Sequence, residues 1–174
     1  MLIFLDTEFT GLDQRSPSLI SIGLVTEDGG REFYAELPES DYLACCDPWV
    51  FKHILALLDG HHTLPPGELK MRLQNWISEL GNVRIVTDSP ECDFTFLRGI
   101  LDPWPASVAP VPLRFDSYSL GSDYQAQLGE HKHAYFGPDR PPHHALHDAK
   151  ALRQMWVMAK HLPAFQAWAA RVGL

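Results

Sequence analysis

Residues 4–12, FLDTEFTGL, place two carboxylates, Asp6 and Glu8, two positions apart in a segment otherwise rich in Leu and Phe. Successive side chains of an extended strand point to opposite faces. Leu2, Phe4, Asp6 and Glu8 therefore share one face, and Ile3, Leu5 and Phe9 the other. Apolar residues on both faces mark a strand covered on both sides, where an uncompensated carboxylate is costly. Either the strand stops at Leu5 and Asp6 opens a solvated turn with Glu8 exposed, or the acids face something that compensates them.

Residues 18–37, SLISIGLVTEDGGREFYAEL, read as a β-hairpin turning at Asp28-Gly29-Gly30. With residues 2–5 this makes three consecutive strands. Helical patterns follow over DPWVFKHILALL (residues 47–58, with Pro48 in the first turn) and PPGELKMRLQNWISELG (residues 65–81). The second carries Leu69, Leu73, Trp76, Ile77 and Leu80 at helical spacing and has Gly81 as its C-cap. VRIVT (83–87) is a short strand. In DFTFLRGIL (93–101), Phe96, Leu97, Ile100 and Leu101 form a helical stripe. Four prolines make 102–112 a connecting loop, LRFDSYSL (113–120) reads as a strand running into a helix, and 129–142 is loop-like. Two more helices are expected, from His144 or Ala145 to Lys160 and from Pro163 to about Val172. Strands alternating with helices after an initial meander predict one α/β domain over residues 1–174 with a mixed sheet.

The chain has 174 residues and a formal net charge of -8, which argues against a broad basic surface for duplex nucleic acid. It leaves nucleic acid open as a substrate, because divalent cations on clustered acids reverse the local field. Three cysteines, Cys45 and Cys46 adjacent, form neither a disulfide framework nor a zinc pattern. The N-terminus lacks a basic region before its apolar run, and no stretch is apolar enough to span a bilayer, so a cytoplasmic protein without a membrane partner is expected.

Two further acids attract attention. Asp93 opens the 93–101 helix, either as an N-cap or as a group beside its apolar stripe. Asp88 ends the 83–87 strand, where turn initiation before Ser89-Pro90 is the plain alternative. In HHALHDAKALRQMW (143–156), Ala145, Ala149, Leu152 and Trp156 define a buried helix face, with Asp148 on its edge looking towards the sheet. His143 joins Asp148 only from the loop before that helix, a start that Pro141 and Pro142 favour. His143 and His147 also form an H-x-x-x-H pair, but the Glu of a zincin helix is missing, and His147 falls on the solvated face.

DTEFTGL, CDFTFL and HHALHDA occur in this order, and together they resemble the three motifs of the DEDDh exonucleases. That superfamily includes ribonuclease T, oligoribonuclease and the proofreading subunits and domains of DNA polymerases. D-x-E matches at Asp6 and Glu8, D-x-x-F-L at Asp93, Phe96 and Leu97, and H-x-A-x-x-D at His143, Ala145 and Asp148. Two departures stand out: Asp88-Ser89 replaces the usual His-Asn, and Cys92 the customary Phe. Whether Asp88 shares or replaces the part of Asp93 is open at this level.

The resemblance implies an RNase H-like fold: a mixed sheet of about five strands, the first three antiparallel, flanked by helices. It implies a 3′-5′ exonuclease using two divalent cations, Mg²⁺ or Mn²⁺. Asp6, Glu8 and Asp148 would hold the tighter ion, Asp6 would bridge to the second, and Asp93 would serve the second. His143 would be the general base, and Glu8, Phe9 and Leu12 would contact the 3′-terminal sugar and base. The partner is the 3′ end of a single-stranded nucleic acid, with Arg98, Arg114, Lys132, Arg140 and Lys150 available to phosphates. RNA is favoured over DNA on the compactness of the chain. A proofreading-type DNA exonuclease is the alternative, and an inactive nucleic-acid-binding domain a further one. Members of the family are often dimers, so a homodimer is a further expectation, although no sequence feature marks its interface.

Overall fold

In a computed structural model, which describes residues 1–12 and 14–174, the opening segment runs straight past both acids as strand β1 (Leu2–Phe9). It does not stop at Leu5, because strand β2 (Leu19–Thr26) pairs with it antiparallel along its length, setting Asp6 opposite Gly23 and Glu8 opposite Ser21. Strand β3 (Glu32–Glu36) continues the meander antiparallel to β2. Strands β4 (Arg84–Thr87) and β5 (Leu113–Arg114) lie on the other side of β1, parallel to it and to each other, giving the order β3-β2-β1-β4-β5. The structure is thus α/β, with one mixed five-stranded sheet between helices.

The parallel pairing of β1 with β4 covers only Leu2 to Phe4. Beyond it, β1 projects past the end of its neighbour, and its backbone there needs other partners. This overhang, which carries Asp6 and Glu8, is where the candidate site is built.

The alternation of β1 sorts the core into two layers, as its sequence predicts. Ile3 and Leu5 pack with Ile22, Leu24 and Ile85 against helices α2 (Pro66–Ser78) and α3 (Asp93–Ile100). Phe4 packs with Val25, Val86 and Phe115 against α4 (Ser122–His133), α5 (Ala145–Ala159) and α6 (Pro163–Val172). Trp156 of α5 anchors the second layer, edge-on to Phe4 at 5.7 Å and to Phe115 at 4.9 Å. Each such aromatic pair adds about 0.5–1.5 kcal/mol beyond the area it buries. A smaller cluster seats α1 (Pro48–His53) through Val50, Ile54 and Tyr42 on Ile20 of β2. Among the described residues no helix is long and apolar enough to cross a membrane.

Several elements differ from the sequence reading. The 47–58 helix is shorter: α1 ends at His53, and a separate 3-10 turn covers Leu55–Leu57. In α3 the innermost face is Phe94 and Leu97, followed by Leu101, while Phe96 and Ile100 sit only partly buried at its edge. The helix is rotated because the polar Asp93, not an apolar residue, is drawn to the end of β1. Residues 129–133, expected as loop, complete the last turn of α4. Its buried Leu128 and basic residues His131, Lys132 and His133 suit the negative C-terminal end of a helix.

Candidate metal centre and adjoining pocket

Side chains from four parts of the chain meet at the overhang of β1. Among the described residues, ligand oxygens of Asp6, Glu8 and Asp148 lie within 4.8 Å of one another, as do those of Asp6, Asp88 and Asp93. Asp6 belongs to both groups. Asp88 follows β4, Asp93 begins α3, and Asp148 lies in the first turn of α5. All four acids expected at the site converge, and Asp88 joins them as a fifth.

Local structure explains each placement. Asp93 does not cap its helix: its Oδ1 accepts from the Thr7 backbone N–H at 3.1 Å and from Thr7 Oγ1 at 2.7 Å, and its Oδ2 accepts from Thr87 Oγ1. Its carboxylate thus takes the place of the strand missing beside the overhang. Asp148 Oδ2 accepts the backbone N–H groups of His143 at 2.7 Å and His144 at 3.1 Å. This bends the chain so that His143 has a φ of 65°, the left-handed region that side-chain-bearing residues seldom occupy. His143 accordingly stands in the loop before α5, as the sequence requires if it is to join Asp148. Helix α5 approaches the sheet at Gly23: a Cβ there would fall 2.3 Å from the Leu146 nitrogen and 2.4 Å from the Ala145 carbonyl carbon. Only a glycine opposite Asp6 admits the helix start this close.

The electrostatics follow from burial and crowding. Burial holds the Asp6 carboxyl well above the usual range, with Asp93, Asp148, Glu8 and Asp88 adding their repulsion. Glu8 is pushed up to about 8 by burial, then by Asp148 and Asp93. Asp93 reaches about 7, burial outweighing the hydrogen bonds from Thr87 and Thr7 that lower it. Asp148 is also raised by burial, against the pull of Lys132 and the two backbone donors. Burial lowers Lys132, yet Asp88 beside it, with Asp6 and Asp148 beyond, carries it above the ordinary lysine value.

Among the described residues no protein donor bonds to the Asp6 or Glu8 carboxyl, so ionising both in this crowded place calls for an external cation. An all-oxygen set of clustered carboxylates suits a hard divalent cation. The residues therefore fit a metal ion. No group of three ligating side chains among the described residues includes His143 or His147, which leaves the zinc reading without support. His147 is not simply solvated: its ring stacks on His144 at 4.2 Å, and His144 in turn stacks on Tyr34 at 4.4 Å. Burial, then His147, pulls the His144 pKa down to about 4.

Beside the acids lies a pocket of about 380 Å³, lined by Glu8, Phe9, Gly11, Leu12, Trp49 and His143, with Asp47, Val50 and Ile54 behind. The three residues expected at a substrate subsite, Glu8, Phe9 and Leu12, thus share one pocket with the expected base. Gly11, at φ +150°, passes so close to Asp47 that a Cβ would lie 2.5 Å from its Oδ2. Asp47 caps α1 through the Val50 N–H at 2.8 Å. A larger cavity of about 460 Å³, between α2 and α3, has no carboxylate in its lining.

Two residues of this region, Trp49 and Lys132, escape the motif reading as members of the site. Trp49, half-exposed, meets His143 edge-on at 4.9 Å; its signal was a large aromatic beside Pro48 at a helix start. Lys132 pairs with Asp88 at 2.5 Å. Asp88 itself was visible as a departure from the second motif. The other basic residues considered for phosphate contacts have partners elsewhere: Arg114 with Glu91 and Asp116, Lys150 with Glu32, Arg98 over Trp104 and Arg140 over Tyr135. No protein-family model matches the chain, and no curated protein matches it.

Proposed function

We propose that the chain is a metal-dependent 3′-5′ exonuclease of the DEDDh type with an RNase H-like fold, acting on single-stranded nucleic acid, RNA in preference to DNA. The observation that carries this reading is the pair of carboxylate groups sharing Asp6, with His143 and the pocket immediately beside them. The three-motif resemblance and a mixed sheet antiparallel over its first three strands support it.

Asp6, Glu8 and Asp148 would hold one Mg²⁺ or Mn²⁺, and Asp6 with Asp93 and Asp88 a second. Bound there, such ions neutralise charge on the phosphoryl group and lower the pKa of water. The chain's own residues do the rest. The pocket formed by Phe9, Leu12 and Trp49 receives the terminal sugar and base, and Trp49 offers a stacking surface that every base can use. That seats the last phosphodiester beside the acids. His143 takes the proton of the attacking water at its imidazole. Its loop is fixed by the two backbone N–H groups on Asp148. A grip on one chain end needs no extended basic surface, which agrees with the net charge of -8.

The test is to incubate the protein with 5′-labelled single-stranded RNA and DNA in Mn²⁺, Mg²⁺ or EDTA. Stepwise shortening from the 3′ end, abolished by EDTA and by Asp6→Asn, is the expected result. No shortening with either metal overturns the reading, and faster cleavage of DNA reverses the substrate preference.

A further inference from the structure

The two carboxylate groups that share Asp6 are not equivalent. In the group of Asp6, Glu8 and Asp148, one of the six carboxylate oxygens, Asp148 Oδ2, is engaged by protein donors among the described residues. In the group of Asp6, Asp88 and Asp93, three of the six are engaged: both oxygens of Asp93, by Thr7 and Thr87, and Asp88 Oδ2, by Lys132 Nζ. The Lys132 ammonium comes from the last turn of α4 and lies 2.5 Å from Asp88, with both side chains about three-quarters shielded from solvent. A shielded charge pair of this kind is screened little by salt. A cation taking Asp88 Oδ2 must break it, and one taking the free Oδ1 meets the repulsion of the adjacent ammonium.

We propose that Lys132 is the resident cation of the second subsite, standing where a second divalent ion would otherwise take Asp88. The chain then binds one divalent ion tightly, at Asp6, Glu8 and Asp148, and a second only against the charge of Lys132 or by displacing it. The carboxylate at position 88 and the lysine at position 132 act as one unit, the ammonium offsetting the additional acid. This inference rests on the metal-centre reading, and it makes Lys132 a positioning residue that sets ion occupancy, not a group that reacts.

The experiment is a Mn²⁺ titration of the metal-free full chain, with free Mn²⁺ followed by electron paramagnetic resonance and thermal midpoints recorded in parallel. The parent is expected to bind one ion tightly and a second at least about 10-fold more weakly. Lys132→Met is expected to tighten the second site by about 5- to 150-fold, the usual span of coupling between sites, with a smaller gain at the first, whose Asp6 and Asp148 lie farther from the ammonium than Asp88 does. Lys132→Arg, which keeps the charge, should behave as the parent does. Two ions of equal affinity in the parent overturn the proposal while leaving the metal centre intact, and this result needs no variant to fold. A second site unchanged in a folded Lys132→Met overturns it as well. No Mn²⁺ bound by the parent at all overturns the metal centre and this inference with it.

Discussion

Glu8→Gln keeps the shape of a buried side chain in β1 and removes its charge. Burial, with Asp148 and Asp93 nearby, carries the Glu8 carboxyl to about 8 from an ordinary 4.5. In the unfolded chain the group ionises near its ordinary value, while the folded metal-free protein holds the proton to higher pH. The folded state therefore binds more protons across this window, and its stability falls as pH rises through it. Linkage gives a loss of roughly 3.5 kcal/mol for this one carboxyl between about pH 5 and about pH 8. In a chain of this size each kcal/mol moves the thermal midpoint by about 2–4 °C, so the loss corresponds to roughly 7–14 °C. Thermal unfolding of parent and Glu8→Gln in EDTA, followed by circular dichroism at steps across that interval, reads the effect directly. The variant should gain on the parent by about this amount; groups that do not feel the Glu8 charge, such as His144, cancel in the difference, while the relief of Asp6 adds in the same direction. With excess Mn²⁺ the sign reverses: deprotonated acids bind the cation, so the parent is stabilised as pH rises and the variant much less. A parent–variant difference that stays level in EDTA would show that Glu8 is not held protonated by its surroundings.

Other substitutions probe the same architecture. His143→Gly relieves a left-handed backbone and should raise the thermal midpoint by about 2–4 °C, for roughly 1 kcal/mol, while cutting hydrolysis by about 10²–10⁴-fold. A lower midpoint would mean that its contact with Trp49 holds the loop. Gly23→Ala forces α5 off β2 and should cost about 1–3 kcal/mol in denaturant unfolding, with weaker Mn²⁺ binding because Asp148 moves with the helix. Unchanged stability would show that α5 yields without strain. Trp49→Ala should raise KM for short oligonucleotides by roughly 5- to 100-fold with little change in kcat, the signature of a lost stacking platform. An unchanged KM would place the terminal base outside the pocket.

Much of this arrangement is legible in the sequence, because it follows from local periodicity. Alternation along β1 puts Phe4, Asp6 and Glu8 on one face, and the structure packs Phe4 under α5 on that side. The Asp28-Gly29-Gly30 turn yields the hairpin, and the stripe Ala145, Ala149, Leu152, Trp156 defines the buried face of α5 with Asp148 at its edge. Pro141 and Pro142 keep His143 out of the helix. Such features depend on how neighbouring residues rotate about one axis, so they need no knowledge of the rest of the chain.

Contacts between elements are a different matter, because long-range packing sets them. The rotation of α3 cannot be read from Phe96 and Ile100, because it is set by Asp93 reaching Thr7, eighty-six residues away, where β1 outruns its partner strand. Lys132 looked like part of a loop until α4 carried it to Asp88, forty-four residues distant. Trp49 became part of a pocket only when α1 folded beside the overhang and brought it to His143. Periodicity states which way a side chain points along its own strand or helix. The distance between side chains on different elements is fixed by sheet order and packing, and at this centre those distances decide which charges meet.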